Sequence, residues 1–260
     1  MQAASLPARY GWHWIRTGYA LVMRQPMPML SLSVLISLML LLAQLTPPFG
    51  PAIFIILIPA ITAVTLGACR RIAQGEGMAL SDWNLPLKEP GVLKRLLMMG
   101  ILYIALGLAG GVLIFLPFMD NLATVVDSLA PDSDITPLLQ ALRTPVLLFA
   151  GYYLLLSALF WQAPALVLWH RVALLQSLFF SWIACWRNKL PLFLYGLCWA
   201  ALFLGVDLLL SLLLGAGIPV QILGMLQAPL MVFLSAVLYC SFYAIYTDIF
   251  ERPVSEDAAA

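Results

Sequence analysis

Charge is scarce in this 260-residue chain: Asp, Glu, Lys and Arg make up 10% of it, whereas 63% is hydrophobic and the mean hydropathy is +0.99. Soluble domains carry about 25% charged residues. Too little polar surface exists to cover a water-soluble fold, so lipid must cover much of it. Histidine is limited to His13 and His170, and cysteine to Cys69, Cys185, Cys198 and Cys240, with no C-x-x-C pair. That scarcity argues against a zinc site and a disulfide framework, and the cysteines read as small apolar residues. A formal net charge of +1 leaves no basic patch for nucleic acid. Catalytic patterns are also missing: no G-x-S-x-G, no H-E-x-x-H, no Gly-rich phosphate loop, and no pair of carboxylates within an apolar run. The chain reads as non-enzymatic, with no catalytic residues, metal or cofactor.

What is present is a set of six long apolar runs, at about 29–45, 52–68, 96–118, 146–169, 192–214 and 230–249. Of the 13 Lys and Arg residues, all but Arg143 fall in alternate gaps between them. Loops rich in Lys and Arg stay in the cytoplasm during insertion. The expected fold is therefore all-α: a bundle of six transmembrane helices in a single polytopic membrane domain over residues 1–252, both termini cytoplasmic, with a disordered tail at 253–260. The first run begins near Met29 without a short apolar core and small-residue cleavage site before it, so no cleavable signal peptide is expected.

Two amphipathic interfacial helices complete the expectation. Over residues 10–24, Trp12, Ile15, Tyr19 and Val22 recur at helical spacing opposite His13, Arg16, Thr17 and Arg24. This suits a helix in the membrane interface, or one packed on its own protein. Residues 172–186 are apolar except for Gln176 and a stripe of Ala173, Ser177, Ser181 and Ala184. As a helix they reach about 22 Å, too short for a hydrocarbon core of about 30 Å, so they lie on the surface or dip into it. Pro59 and Pro164 interrupt their spans, and Gly107 and Gly111 form a G-x-x-x-G that favours close helix packing. Tyr243 and Tyr246 suit an interfacial aromatic belt. Arg24-Gln-Pro-Met-Pro28 can be laid over Arg187-Asn-Lys-Leu-Pro191, each following an aromatic amphipathic segment and preceding two spans, which suggests a parallel internal repeat.

Ligand-binding residues are unknown from the sequence, and two candidates stand out. Asp207 is the ionisable residue well inside a span, where a charge costs roughly 2.5–3.5 kcal/mol and usually faces a cavity or partner. Gln162 lies beside Pro164, whose missing N–H frees a carbonyl that an amide could use. Helix-to-helix hydrogen bonding is the plainer role for both, and a solvated interfacial role the plainer one for His170.

Gln162-Ala-Pro-Ala-Leu-Val-Leu-Trp-His170, Ser177-Leu-Phe-Phe-Ser181, Ala184-Cys-Trp-Arg-Asn188 and Tyr243 through Asp248-Ile-Phe250 resemble an uncharacterised family of proteobacterial multi-pass inner-membrane proteins. More distantly, the layout is similar to the membrane domain of some glycerophosphodiester phosphodiesterases. The resemblance implies a bacterial inner membrane and brings no activity with it. The expected role is structural, regulatory or assembly, with membrane lipids and other membrane proteins, or a second copy, as partners. The alternative is a small transporter or lipid-handling protein with a polar path near Asp207 and Gln162.

Overall fold

The computed structural model describes residues 3–79, 82–128 and 134–251; the tail expected to be disordered lies outside the described residues. Those described form helices joined by turns, with no strand. In chain order they are α1 (Tyr10–Arg24), α2 (Pro26–Gln44), α3 (Phe49–Ala73), α4 (Val92–Phe115), α5 (Met119–Ser128), α6 (Thr136–Phe160), α7 (Ala163–His170), α8 (Leu174–Arg187), α9 (Lys189–Gly215) and α10 (Val220–Tyr246). Six helical runs are long and apolar enough to cross a membrane: Pro26–Gln44, Phe49–Ala73, Val92–Ser128, Thr136–His170, Lys189–Gly215 and Val220–Glu251. The chain is an all-α membrane bundle. One end, the basic side, holds α1, α8 and the loop before α4; the other, the acidic side, holds α5 and the turns after α2 and α9.

α1 ends where Pro26 forbids a helical residue before it: Gln25 sits at φ −143°, ψ 76°, and Pro26 opens α2. The buried stripe of α1 is Gly11, Trp14, Ile15, Gly18, Leu21 and Val22. A Cβ on Gly11 would lie 2.6 Å from the Pro191 carbonyl of α9, and one on Gly18 would lie 2.7 Å from the Val237 carbonyl of α10. α1 is thus wedged between α9 and α10, in backbone contact with both. Of the apolar stripe expected above, Ile15 and Val22 are buried, whereas Trp12 and Tyr19 are 54% and 50% exposed. The buried face is turned toward Gly11 and Gly18, because close backbone approach outweighs side-chain hydrophobicity there.

Glycine also sets the α3–α4 contact, but not through the G-x-x-x-G. A Cβ on Gly100 would strike the Ile56 backbone, and one on Gly110 the Tyr152 ring, whereas Gly107 faces open space. The Tyr152 hydroxyl donates to Leu106 O at 2.7 Å across α4 and α6. Several helices outrun their apolar runs. α6 begins at Thr136 rather than near 146, because Asp134 Oδ1 accepts from the Thr136 hydroxyl at 2.7 Å and its backbone N–H at 2.9 Å. Those bonds hold the Asp134 carboxyl below the usual carboxylate range, the hydroxyl contributing more than the N–H. α10 absorbs residues 220–228, with Pro229 inside it. Tyr246 is fully buried with its ring 4.6 Å from that of Trp169, so it belongs to the core rather than to an aromatic belt.

α8 does lie short and amphipathic on the basic side. Three of the four stripe residues, Ser177, Ser181 and Ala184, are fully buried, whereas Ala173 at the N-cap is exposed, as are Leu175, Phe179 and Trp186. The two halves suggested as a repeat share a local pattern: a short amphipathic helix, a one-residue break at Gln25 or Asn188, then a spanning helix with proline in its first turn. Their packing differs. α2 lies against α3, whereas α9 and α10 are parted by α1 on the basic side.

A candidate functional site at two kinked helices

Proline chemistry builds the site. Pro164 has no N–H to give the Phe160 carbonyl, and its ring crowds that carbonyl. The fourth span accordingly stops at Phe160 and resumes at Ala163 instead of running unbroken to Trp169. At the break, the ladder bond from the Gln162 N–H to the Ala158 carbonyl is replaced by an inserted hydroxyl. The Gln162 N–H donates to Ser181 Oγ at 3.0 Å, and Ser181 Oγ donates to Ala158 O at 2.8 Å. α8 therefore repairs the kink that Pro164 causes. Ser181→Ala leaves both backbone groups without a partner and is expected to destabilise the protein by about 1–3 kcal/mol. Thermal unfolding in detergent reads this; an unshifted transition would show that the hydroxyl holds nothing.

Pro59 acts likewise in α3, where the Ile55 carbonyl loses its partner. A cavity of about 350 Å³ lies between the two kinks, lined by Ile55, Pro59, Phe160 and Pro164 among others. Ile55 and Phe160, whose carbonyls the prolines deprive of a ladder partner, both line it. Thr62, Tyr103, Tyr153 and Ser157 add hydroxyls, and Phe242 and Trp161 add aromatic wall. Thr62 spends its proton on Ile58 O at 2.9 Å. No charged side chain lines this cavity, and it holds no nucleophile beside a base. Its described lining is apolar and aromatic with a few hydroxyl groups.

Behind the cavity sits an aromatic hub. The ring of Tyr195 meets Trp14 at 6.1 Å, Trp161 at 6.4 Å and Trp199 at 6.4 Å, and its hydroxyl pairs with Ser241 Oγ at 2.6 Å. It ties α1, the α6–α7 break, α9 and α10 together. The Trp14 indole N–H donates to Asp248 at 3.0 Å, and the Cys69 and Cys240 sulfurs approach to 3.0 Å in the core between α3 and α10.

The residues singled out by sequence are not brought together. Gln162 is buried at the break, where its backbone rather than its amide makes the bond to α8. Asp207 is exposed on the outer half of α9, where no residue from 200 to 215 is buried. Neither lines the cavity. His170 sits at the end of α7 with its ring 6.2 Å from Tyr246. Ser181, Tyr195 and Asn188 went unrecognised as structural groups; the signal for Ser181 was its place in an inward stripe of small residues.

No family model matches the chain, and no solved structure matches it. A protein of Burkholderia thailandensis described as a probable inner membrane protein is 35% identical over 264 residues, which cover 96% of this chain and 94% of the relative. The likeness to glycerophosphodiester phosphodiesterase membrane domains finds no support in these comparisons.

Proposed function

Because the chain belongs to the family of that probable inner membrane protein, we propose that it is a non-enzymatic multi-pass inner-membrane protein that assembles with another membrane protein through the outer half of α9. One observation carries this. In its most apolar stretch α9 is 6% buried, against 39% for α3, and its uncovered surface contains Asp207. An acid facing hydrocarbon is costly, and a partner helix that donates a hydrogen bond removes that cost. Native mass spectrometry from lipid discs is the test, with a stoichiometric partner or second copy expected. Asp207→Leu, which removes the acceptor, is expected to weaken that complex while leaving the fold intact. A strictly single chain, unchanged by the substitution, would overturn the proposal.

The basic side is read as cytoplasmic, since it carries the Lys- and Arg-rich loops. A second reading, a lipid-handling or small transport protein, is favoured by the cavity at the kinks with its uncommitted acceptors. It would be supported by a small neutral molecule that co-purifies and is displaced when Ser157→Phe fills the cavity.

A further inference from the structure

A second groove, of about 410 Å³, runs between α2 and α3 on the basic side and is walled by Leu35 and Met39 of α2, Ile61 and Val64 of α3, and Trp83 and Leu87 of the following loop. From Leu32 to Met39, and from Leu57 to Val64, it follows each helix for about 10 Å. Including the loop at its end, that depth fits within one leaflet, whose hydrocarbon is about 15 Å thick. Its wall is apolar apart from Asn84.

Two basic residues that border the lining in the chain are uncompensated among the described residues. Leu87 and Leu93 of the lining are followed directly by Lys88 and Lys94, both exposed. Among the described residues neither lysine has a carboxylate partner, although the neighbouring acids are engaged: Asp82 pairs with Arg71 at 3.2 Å and Glu89 with Arg171 at 2.7 Å. Arg95 is also committed, to the Arg171 carbonyl at 2.8 Å. An apolar slot about one leaflet deep, with two exposed lysines next in the chain to its lining residues, matches one kind of molecule. We propose that this groove binds an anionic phospholipid from the leaflet on the basic side, an acyl chain lying along α2 and α3 and the phosphate meeting Lys88 and Lys94.

The full chain in detergent would be titrated with phosphatidylglycerol and with phosphatidylcholine of the same acyl chains, and bound lipid counted by native mass spectrometry. Phosphatidylglycerol is expected to bind more tightly. Lys88→Gln is expected to cut that preference about fivefold, and the double variant with Lys94→Gln about 25-fold, without touching phosphatidylcholine. Both lysines are exposed, so the fold survives the changes. Leu35→Trp, at a partly exposed position that narrows the groove, is expected to weaken both lipids alike. Equal binding of the two lipids by the unmodified protein, or an unaltered preference in the double variant, would overturn the proposal.

Discussion

Asn188→Ala is expected to cost about 2–4 kcal/mol, because it strips the buried Leu6 N–H of its partner, at about 1–3 kcal/mol, and the part-buried Ala4 carbonyl of its own, at about 1 kcal/mol. Asn188 is fully buried at the junction of α8 and α9. Its Oδ1 accepts from the Leu6 N–H at 3.0 Å, and its Nδ2 donates to Ala4 O at 2.8 Å and to Ala184 O at 3.0 Å. One amide thereby satisfies the N-terminal segment in both directions and closes the end of α8. The Ala4 N–H in turn donates to Ile249 O at 2.9 Å, beyond the end of α10. Losing the amide therefore loosens both ends of the described chain. A thermal transition lowered by several degrees, with faster proteolysis before residue 10, is the expected result. Asn188→Asp keeps the acceptor but sets a buried carboxylate oxygen against the Ala4 and Ala184 carbonyls, and is expected to destabilise at least as much as Asn188→Ala.

Gly18→Val is expected to be at least as damaging, because the atoms its side chain would meet are backbone. The Val237 carbonyl and the Ser241 N–H both lie 2.7 Å from the position of the added Cβ. α10 cannot yield there without losing its own ladder, so α1 must lift away, taking Trp14 and its bond to Asp248 with it. Overpacking costs about 1–3 kcal/mol, with more where backbone must move. Gly107→Val is the matched control, since nothing lies within 4 Å of its Cβ position. A surface change of that kind stays within about 0.5 kcal/mol apart from glycine's own helix penalty. If instead Gly107→Val unfolds the protein and Gly18→Val does not, the packing described here is wrong.

These two glycines mark where sequence stops being readable. The spans are legible because hydrocarbon tolerates little but apolar runs, so α2, α3 and α9 announce themselves. The small-residue stripe of α8 was legible because Ser177, Ser181 and Ala184 recur at helical spacing in an otherwise apolar segment. The buried face of α1 was legible only in part: Ile15 and Val22 lie on it as their spacing suggested, whereas Trp12 and Tyr19 are exposed and Gly11 and Gly18 are buried instead. Which glycine meets a neighbouring backbone depends on how helices distant in sequence are placed, and the G-x-x-x-G pattern of α4 contains no such information.

The site shows the same division. Pro164 signals a kink, and the break at Gln162 followed from it; that a hydroxyl 19 residues away repairs the ladder did not. Gln162 drew attention for its amide, yet its N–H does the bonding. Asp207 drew attention for its charge, and it lies exposed on α9 away from the cavity at the kinks, which turns the question outward to a partner. Asn188 looked like an ordinary polar residue between basic neighbours. Its role depends on the N-terminal segment returning to the α8–α9 junction, a contact between residues 182 apart in the chain that no local pattern encodes.

Labelling from each face of the membrane tests the account most directly. With the four native cysteines replaced by alanine, single cysteines would be introduced by Asp127→Cys and Ala216→Cys on the acidic side, and by Glu76→Cys and Arg187→Cys on the basic side. A membrane-impermeant maleimide is expected to reach the first two in intact spheroplasts, and the second two only after the membrane is opened. Labelling of Glu76 and Arg187 in intact spheroplasts, with Asp127 protected, would contradict the arrangement.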